Sequence, residues 1–124
     1  MYEIYVASQF EAAHRLRGDF GPASRLHGHT YRLEALVQGE RLAADGTLYD
    51  VGLLREAVEG LASGLHMRDL DEVEGLSEGN TTAERVADYC WERLTPDLSG
   101  NGLSSLIVRV WESGQVYAAR EDEI

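Results

Sequence analysis

The chain opens on an alternation. Tyr2, Ile4, Val6, Phe10, Ala12 and His14 share one parity, and a period of two predicts a strand from Tyr2 to about Leu16 with one face buried. The glycines and proline of "RGDFGPAS" predict a turn region next. A second alternation runs from about His27 to Gln38. Its odd positions (His27, His29, Tyr31, Leu33, Ala35, Val37) are mostly apolar, and its even positions (Thr30, Arg32, Glu34, Gln38) are polar, with Leu36 the exception. The period then changes. Leu54, Val58, Leu61 and Leu65 recur at spacings of four and three, which predicts a helix capped by Asp50. At "TTAE", Thr81 and Glu84 fit a capping box that opens a second helix. Val86, Tyr89, Cys90 and Leu94 supply its apolar stripe, and Pro96 marks its expected end. After "LSGNG", the run "LSSLIVRVWES" predicts a strand, and a short last strand is expected around Gln115 to Ala119.

The order ββααββ predicts an α+β domain over residues 1–124: a four-stranded antiparallel sheet with two helices on one face. Such a sheet leaves its edges unpaired. Self-association is the simplest remedy, and a closed ring of sheets, a β-barrel, removes the edges altogether.

Length and charge narrow the partners. The 124 residues suffice for one core and not two. A net charge of −11 sets the chain's field against phosphate backbones, so no nucleic acid partner is expected. No apolar run approaches the roughly 20 residues that span a bilayer, and no membrane partner is expected either. "MYEIYVASQF" is acidic and alternating, unlike a signal peptide, and the single Cys90 excludes an intramolecular disulfide, so a cytoplasmic location is expected. Arg15, Arg17 and Arg25 lie among the clustered histidines. They suit an anionic small molecule, or they are solvated side chains.

Three of the four histidines fall within 16 residues: His14, His27 and His29. Positions i and i+2 of a strand point to one side, so His27 and His29 present adjacent imidazoles. Gly28 between them leaves room for close approach on the other face. An antiparallel neighbour brings His14, of matching parity, alongside. Three imidazoles at about 2.0–2.1 Å from one ion make a zinc site with an open fourth position, the arrangement of catalytic zinc. The competing reading is a strand end with ordinary, partly buried histidines.

"FEAAH", "LHGHTYRL", the "YD" of Tyr49–Asp50, "TTAERVADYCWERL" and "VWES" follow one another between Phe10 and Glu112. Together they resemble the 6-pyruvoyl-tetrahydropterin synthase family, which includes the bacterial 6-carboxy-tetrahydropterin synthases of queuosine biosynthesis. The resemblance implies the tunnelling fold, with sheets joined into barrels, commonly trimers or hexamers, and active sites between subunits. It implies Zn2+ on His14, His27 and His29, a pterin ring anchored by Glu112, and a pocket lined by Thr82, Ala83 and Glu84. The chemistry of Glu112 agrees: a carboxylate can accept the adjacent amide N–H and amino group of a pterin.

Two features depart from the family pattern. Synthases carry a cysteine base a few residues before His-Gly-His, where this chain has Ala23 or, with a shifted gap, Ser24. They also carry an Asp-His pair in "L-D-H-x-x-L"; here "LHMRDLDEV" puts His66 and Met67 in those places. Asn80-Thr81-Thr82 stands for the family's Asn-Pro-Thr and keeps the cap chemistry. His66, with Asp69 or Asp71 to orient it, is the candidate acid or base, and a helix-terminal surface histidine is the plainer alternative. The resemblance therefore implies a zinc-dependent lyase acting on dihydroneopterin triphosphate or a related reduced pterin, with altered catalytic residues. Cleavage of the side chain is one reaction open to it. The alternatives are a zinc- and pterin- or purine-binding protein without turnover, or a structural assembly.

Overall fold

The computed structural model describes all 124 residues. Strands β1 (Tyr2–His14) and β2 (His27–Gly39) pair antiparallel along their whole length, from Tyr2 opposite Gly39 to His14 opposite His27. This register brings the two apolar parities onto one face, where Val6, Phe10, Ala12, Tyr31, Leu33, Ala35 and Val37 are buried. Leu36, on the opposite face, is also buried.

Helix α1 (Val51–Leu65) starts where expected: Asp50 Oδ1 accepts the N–H groups of Gly52 and Leu53 at 2.8 and 3.3 Å. It buries Leu54, Val58, Ala62 and Leu65, while Leu61 is only partly buried. The chain then turns through Met67, whose φ of +60° is left-handed and whose N–H donates to the Glu11 carbonyl at 2.6 Å. That turn lays the two-residue strand β3 (Arg68–Asp69) parallel to β1 at Ala12 and Ala13.

Helix α2 (Ala83–Leu98) differs from expectation at both ends. Its cap is Thr82, whose Oγ1 accepts the Arg85 N–H at 3.2 Å. The Thr81 side chain turns inward and Glu84 is exposed, so the expected capping box does not form. Pro96 lies within the last turn instead of ending the helix. There its missing N–H costs one hydrogen bond, and the two residues that follow carry Leu98 into the core.

Strand β4 (Ser105–Ser113) pairs with β2, and β5 (Val116–Glu123) pairs with β4. Strand β5 runs four residues past its expected end. Its polar sequence gives no buried periodicity; contacts across to α2 support it, with Arg120 bonded to Asp88 and Glu92 and lying 3.8 Å from the Trp91 ring centre. The sheet is therefore mixed and five-stranded, in the order β3-β1-β2-β4-β5, and not the four-stranded antiparallel sheet expected. Two residues are too few to show a period, which is why β3 escapes sequence reading. One continuous core lies between the helices and one face of the sheet. No helix is long and apolar enough to cross a membrane.

The other face of the sheet carries a polar network. Glu34, 6% exposed, accepts hydrogen bonds from the Tyr5 hydroxyl at 2.7 Å, the Trp111 indole at 2.6 Å and Arg32 Nε at 3.2 Å. Arg109 stands 3.7 Å away. Burial by itself pushes the Glu34 carboxyl up; these hydrogen bonds outweigh it and hold the group below the usual carboxylate value.

Candidate metal centre

The β1–β2 ladder ends at the histidines. His14 and His27 form its last pair, and His29 lies opposite Ala12. All three side chains lie on the core face. Their ring centres are 4.6 Å (His14–His27), 5.1 Å (His14–His29) and 4.8 Å (His27–His29) apart. One ligand-capable atom from each falls within 4.8 Å of the others, so a single cation can reach all three.

Hydrogen bonds decide which nitrogen each ring offers. His14 Nδ1 lies 2.7 Å from the Thr81 carbonyl, and His27 Nδ1 lies 2.7 Å from the Arg25 carbonyl. A carbonyl only accepts, so both Nδ1 atoms carry a proton, and Nε2 is the nitrogen each ring has left for a metal. His14 Nε2 and His29 Nε2 are buried and have no hydrogen-bond partner. Burial lowers the His29 pKa, and the two neighbouring imidazoles push the same way, against the carboxylate of Glu112. Convergent imidazole nitrogens without a hydrogen-bond partner are what zinc requires, and the residues present fit it.

The His14 carbonyl partner is itself held in place. The Thr81 hydroxyl donates to Asp71 Oδ1 at 2.8 Å, and Asp71 Oδ2 accepts the Arg15 N–H at 2.9 Å. The loop before α2 is thereby tied to the end of β1. Sequence reasoning missed this role of Thr81 and Asp71. Thr81 read as a helix cap and Asp71 as a partner for His66; the pairing across ten residues carries no local signal.

Glu112 reaches the site through a β-bulge. The β4–β5 register shifts between Trp111 and Ser113 and leaves Glu112 unpaired. Its Oε2 lies 3.5 Å from His29 Nε2. A cleft of about 500 Å3 opens beside it, bordered by Thr30, Arg32, Trp111 and Gly114. A second cleft of about 440 Å3 is lined by Glu11, Gly28, His29, Met67 and Asp69. Both volumes suit a small heterocyclic ligand.

The remaining candidates are placed as follows. His66 is exposed at the end of α1, and its Nδ1 accepts the Glu11 N–H at 3.1 Å. Asp69 Oδ1 instead caps the following 3-10 turn through the Asp71 N–H. Neither aspartate is hydrogen-bonded to His66, contrary to the sequence expectation: Asp69 is committed to the nearby Asp71 N–H, and Asp71 to the distant Arg15 N–H and the Thr81 hydroxyl. Thr82 Oγ1 is engaged as the α2 cap, Ala83 is buried and Glu84 faces solvent. Ala23 and Ser24 lie in a 3-10 turn (Gly21–Ser24), and the Ser24 hydroxyl donates to the Gly18 carbonyl. Arg17 donates to the Ser77 carbonyl, while Arg15 and Arg25 are exposed. Cys90 is fully buried in α2, and burial pushes its thiol up to about 12. Tyr31, two residues beyond His29 on the same face, is also fully buried. Burial first, then the charges of Glu112 and Asp71, push its phenol well above the ordinary value.

Residues 3–123 match the model of the family described as 6-pyruvoyl tetrahydropterin synthase. A dihydroneopterin monophosphate aldolase from Pyrococcus furiosus is 32% identical over 112 residues, covering 90% of each chain. A 6-carboxy-5,6,7,8-tetrahydropterin synthase from Synechocystis is 30% identical over 98 residues, covering 76% of this chain and 75% of the relative. Among solved structures, the 6-pyruvoyl tetrahydropterin synthase of Caenorhabditis elegans superposes with a TM-score of 0.83 at 24% identity, covering 98% of this chain and 96% of the other; the fold is shared.

Proposed function

Because the chain belongs to the 6-pyruvoyl tetrahydropterin synthase family, we propose that it is a zinc-dependent lyase acting on the side chain of a phosphorylated dihydroneopterin or a related reduced pterin. The observation that carries this reading is the trio of convergent imidazoles, two of them with Nδ1 tied to a carbonyl and Nε2 left for a metal. His14, His27 and His29 would hold Zn2+. Bound there, zinc supplies a Lewis acid for an oxygen of the substrate side chain.

The chain's own residues do the rest. Glu112, freed from the ladder by the bulge, accepts two parallel hydrogen bonds from the ring's amide N–H and amino group. Thr82, Ala83 and Glu84, which the resemblance puts at the pterin pocket, line neither cleft. His66 and Asp69 are the candidates for proton transfer. With Nδ1 accepting from Glu11, neutral His66 carries its proton on Nε2 and is set up to donate. Asp69 borders the same cleft as His29.

Side-chain cleavage is favoured over elimination of phosphate. The 3-10 turn that would carry the synthase base holds Ala23 and Ser24, and neither takes up a proton at neutral pH. The relationship to a dihydroneopterin monophosphate aldolase supports the same choice. In that reaction the 2′-hydroxyl loses its proton and the C1′–C2′ bond breaks. The electron pair passes into the ring system and is returned as a C–H bond at C1′. The products are a 6-hydroxymethyl dihydropterin and a glycolaldehyde fragment.

The test is metal analysis followed by incubation of zinc-loaded protein with the monophosphate and triphosphate of dihydroneopterin, with pterins resolved by chromatography. The expected product is 6-hydroxymethyl dihydropterin. Binding of the ring with neither a new pterin nor released phosphate would favour a carrier without turnover. Release of triphosphate would restore the synthase reaction. We also propose a homo-oligomer, a trimer or hexamer: β5 leaves an unpaired edge, and the open sheet face exposes Tyr5 and Tyr117. Light scattering of the purified protein tests this.

A further inference from the structure

The chain buries three polar side-chain atoms without a hydrogen-bond partner: His14 Nε2, His29 Nε2 and the Tyr31 hydroxyl. The rings that carry them are neighbours. The Tyr31 ring stacks on Phe10 at 4.9 Å and stands edge-on to His29 at 5.3 Å and to His14 at 6.0 Å. A cation accounts for the two imidazole nitrogens. It leaves the phenol unexplained, because phenylalanine would fill the same stack without burying an unsatisfied hydroxyl.

We infer that Tyr31 is a substrate-contacting residue whose hydroxyl bonds the oxygen atom that enters beside the three imidazoles: water in the resting protein, a side-chain hydroxyl of the pterin in the complex. A phenol both donates and accepts, so it can hold a hydroxyl in one orientation. The consequence is specificity. Pterins whose C6 substituent carries a hydroxyl gain this contact, and pterins with a plain alkyl substituent do not. This inference rests on the pterin reading given above.

The test is Tyr31→Phe, compared with the wild type as zinc-loaded protein. Calorimetric titrations use two probes, dihydroneopterin and 6-methyl-7,8-dihydropterin. Zinc content is expected to stay unchanged. Affinity for dihydroneopterin should fall about three- to tenfold, the worth of one hydrogen bond. Affinity for the methyl compound should not move. Equal losses on both probes, or no loss on either, overturn the inference and make Tyr31 a packing residue.

If wild-type protein binds neither probe, the pterin reading fails by itself. Tyr31 is then decided by the visible absorption bands of the cobalt-loaded proteins, which respond to what surrounds the ion. Bands that differ between wild type and Tyr31→Phe support the contact. Superimposable bands overturn it.

Discussion

Strand β2 carries two polar sites on its two faces, five residues apart, and they are built on opposite principles. Glu34 is a buried carboxylate that three donors satisfy within the chain. His29 Nε2 and His14 Nε2 are buried ring nitrogens to which the chain gives no hydrogen bond. Both sites carry the cost of desolvation, but only one recovers it internally. The difference separates a polar cluster closed within the chain from one that the chain leaves open.

Substitutions should separate the two faces. The largest effect is expected at His27→Ala: zinc should fall from about one per chain to nearly none by mass spectrometry, and turnover with it, while the fold is retained. A wild-type zinc content in that variant would break the comparison. Next comes Asp71→Asn, which weakens the support behind the His14 partner Thr81. Competition with a chelator should show zinc affinity down by about ten- to a hundredfold, the usual cost of losing an outer partner of a metal ligand.

Glu34→Ala should act in the opposite way. It leaves the Trp111 indole and the Tyr5 hydroxyl without their acceptor and should lower stability by about 1–3 kcal/mol in denaturant melts, with zinc affinity unchanged. The pH dependence follows from the depressed pKa of Glu34. A carboxyl held low in the folded state binds fewer protons there than in the unfolded chain. Its stabilisation is complete above the ordinary value of 4.5 and fades as pH falls through the lower folded value. The gap in melting temperature between wild type and Glu34→Gln should therefore be widest near neutrality and narrow in acid. A gap independent of pH would deny Glu34 this role. The smallest expected effect is at Cys90. With its thiol buried and pushed up to about 12, it should resist alkylation in native protein and label only on unfolding. Rapid native labelling would reopen the question of a thiolate base.

Most of the framework was legible because it rests on period. The two long alternations fix β1 and β2, and in-phase pairing of His14 with His27 follows from which parity is apolar. The metal trio is read from the same parity. What escaped depends on contacts between distant segments. Thr81 carries a cap signal in its local sequence, but its hydroxyl bonds Asp71 and its carbonyl bonds His14. Glu112 gains its place from a one-residue bulge, which no pattern in "VRVWES" announces. Pro96 signals a stop by local preference, and the burial of Leu98 beyond it overrides that signal. Strand β5 is held by charges on α2 and not by an apolar face.

The position of His14 and His27 on the final rung of the β1–β2 ladder has a mechanical consequence. Ladder ends are where paired strands open first, and here the open end leads into the twelve-residue connection between the strands. An ion shared by both strands would act as a clasp at that mouth. Loading a metal should therefore quiet the segment from Arg15 to Leu26, and a change in metal occupancy would be felt as loosening of that connection before it is felt anywhere in the core.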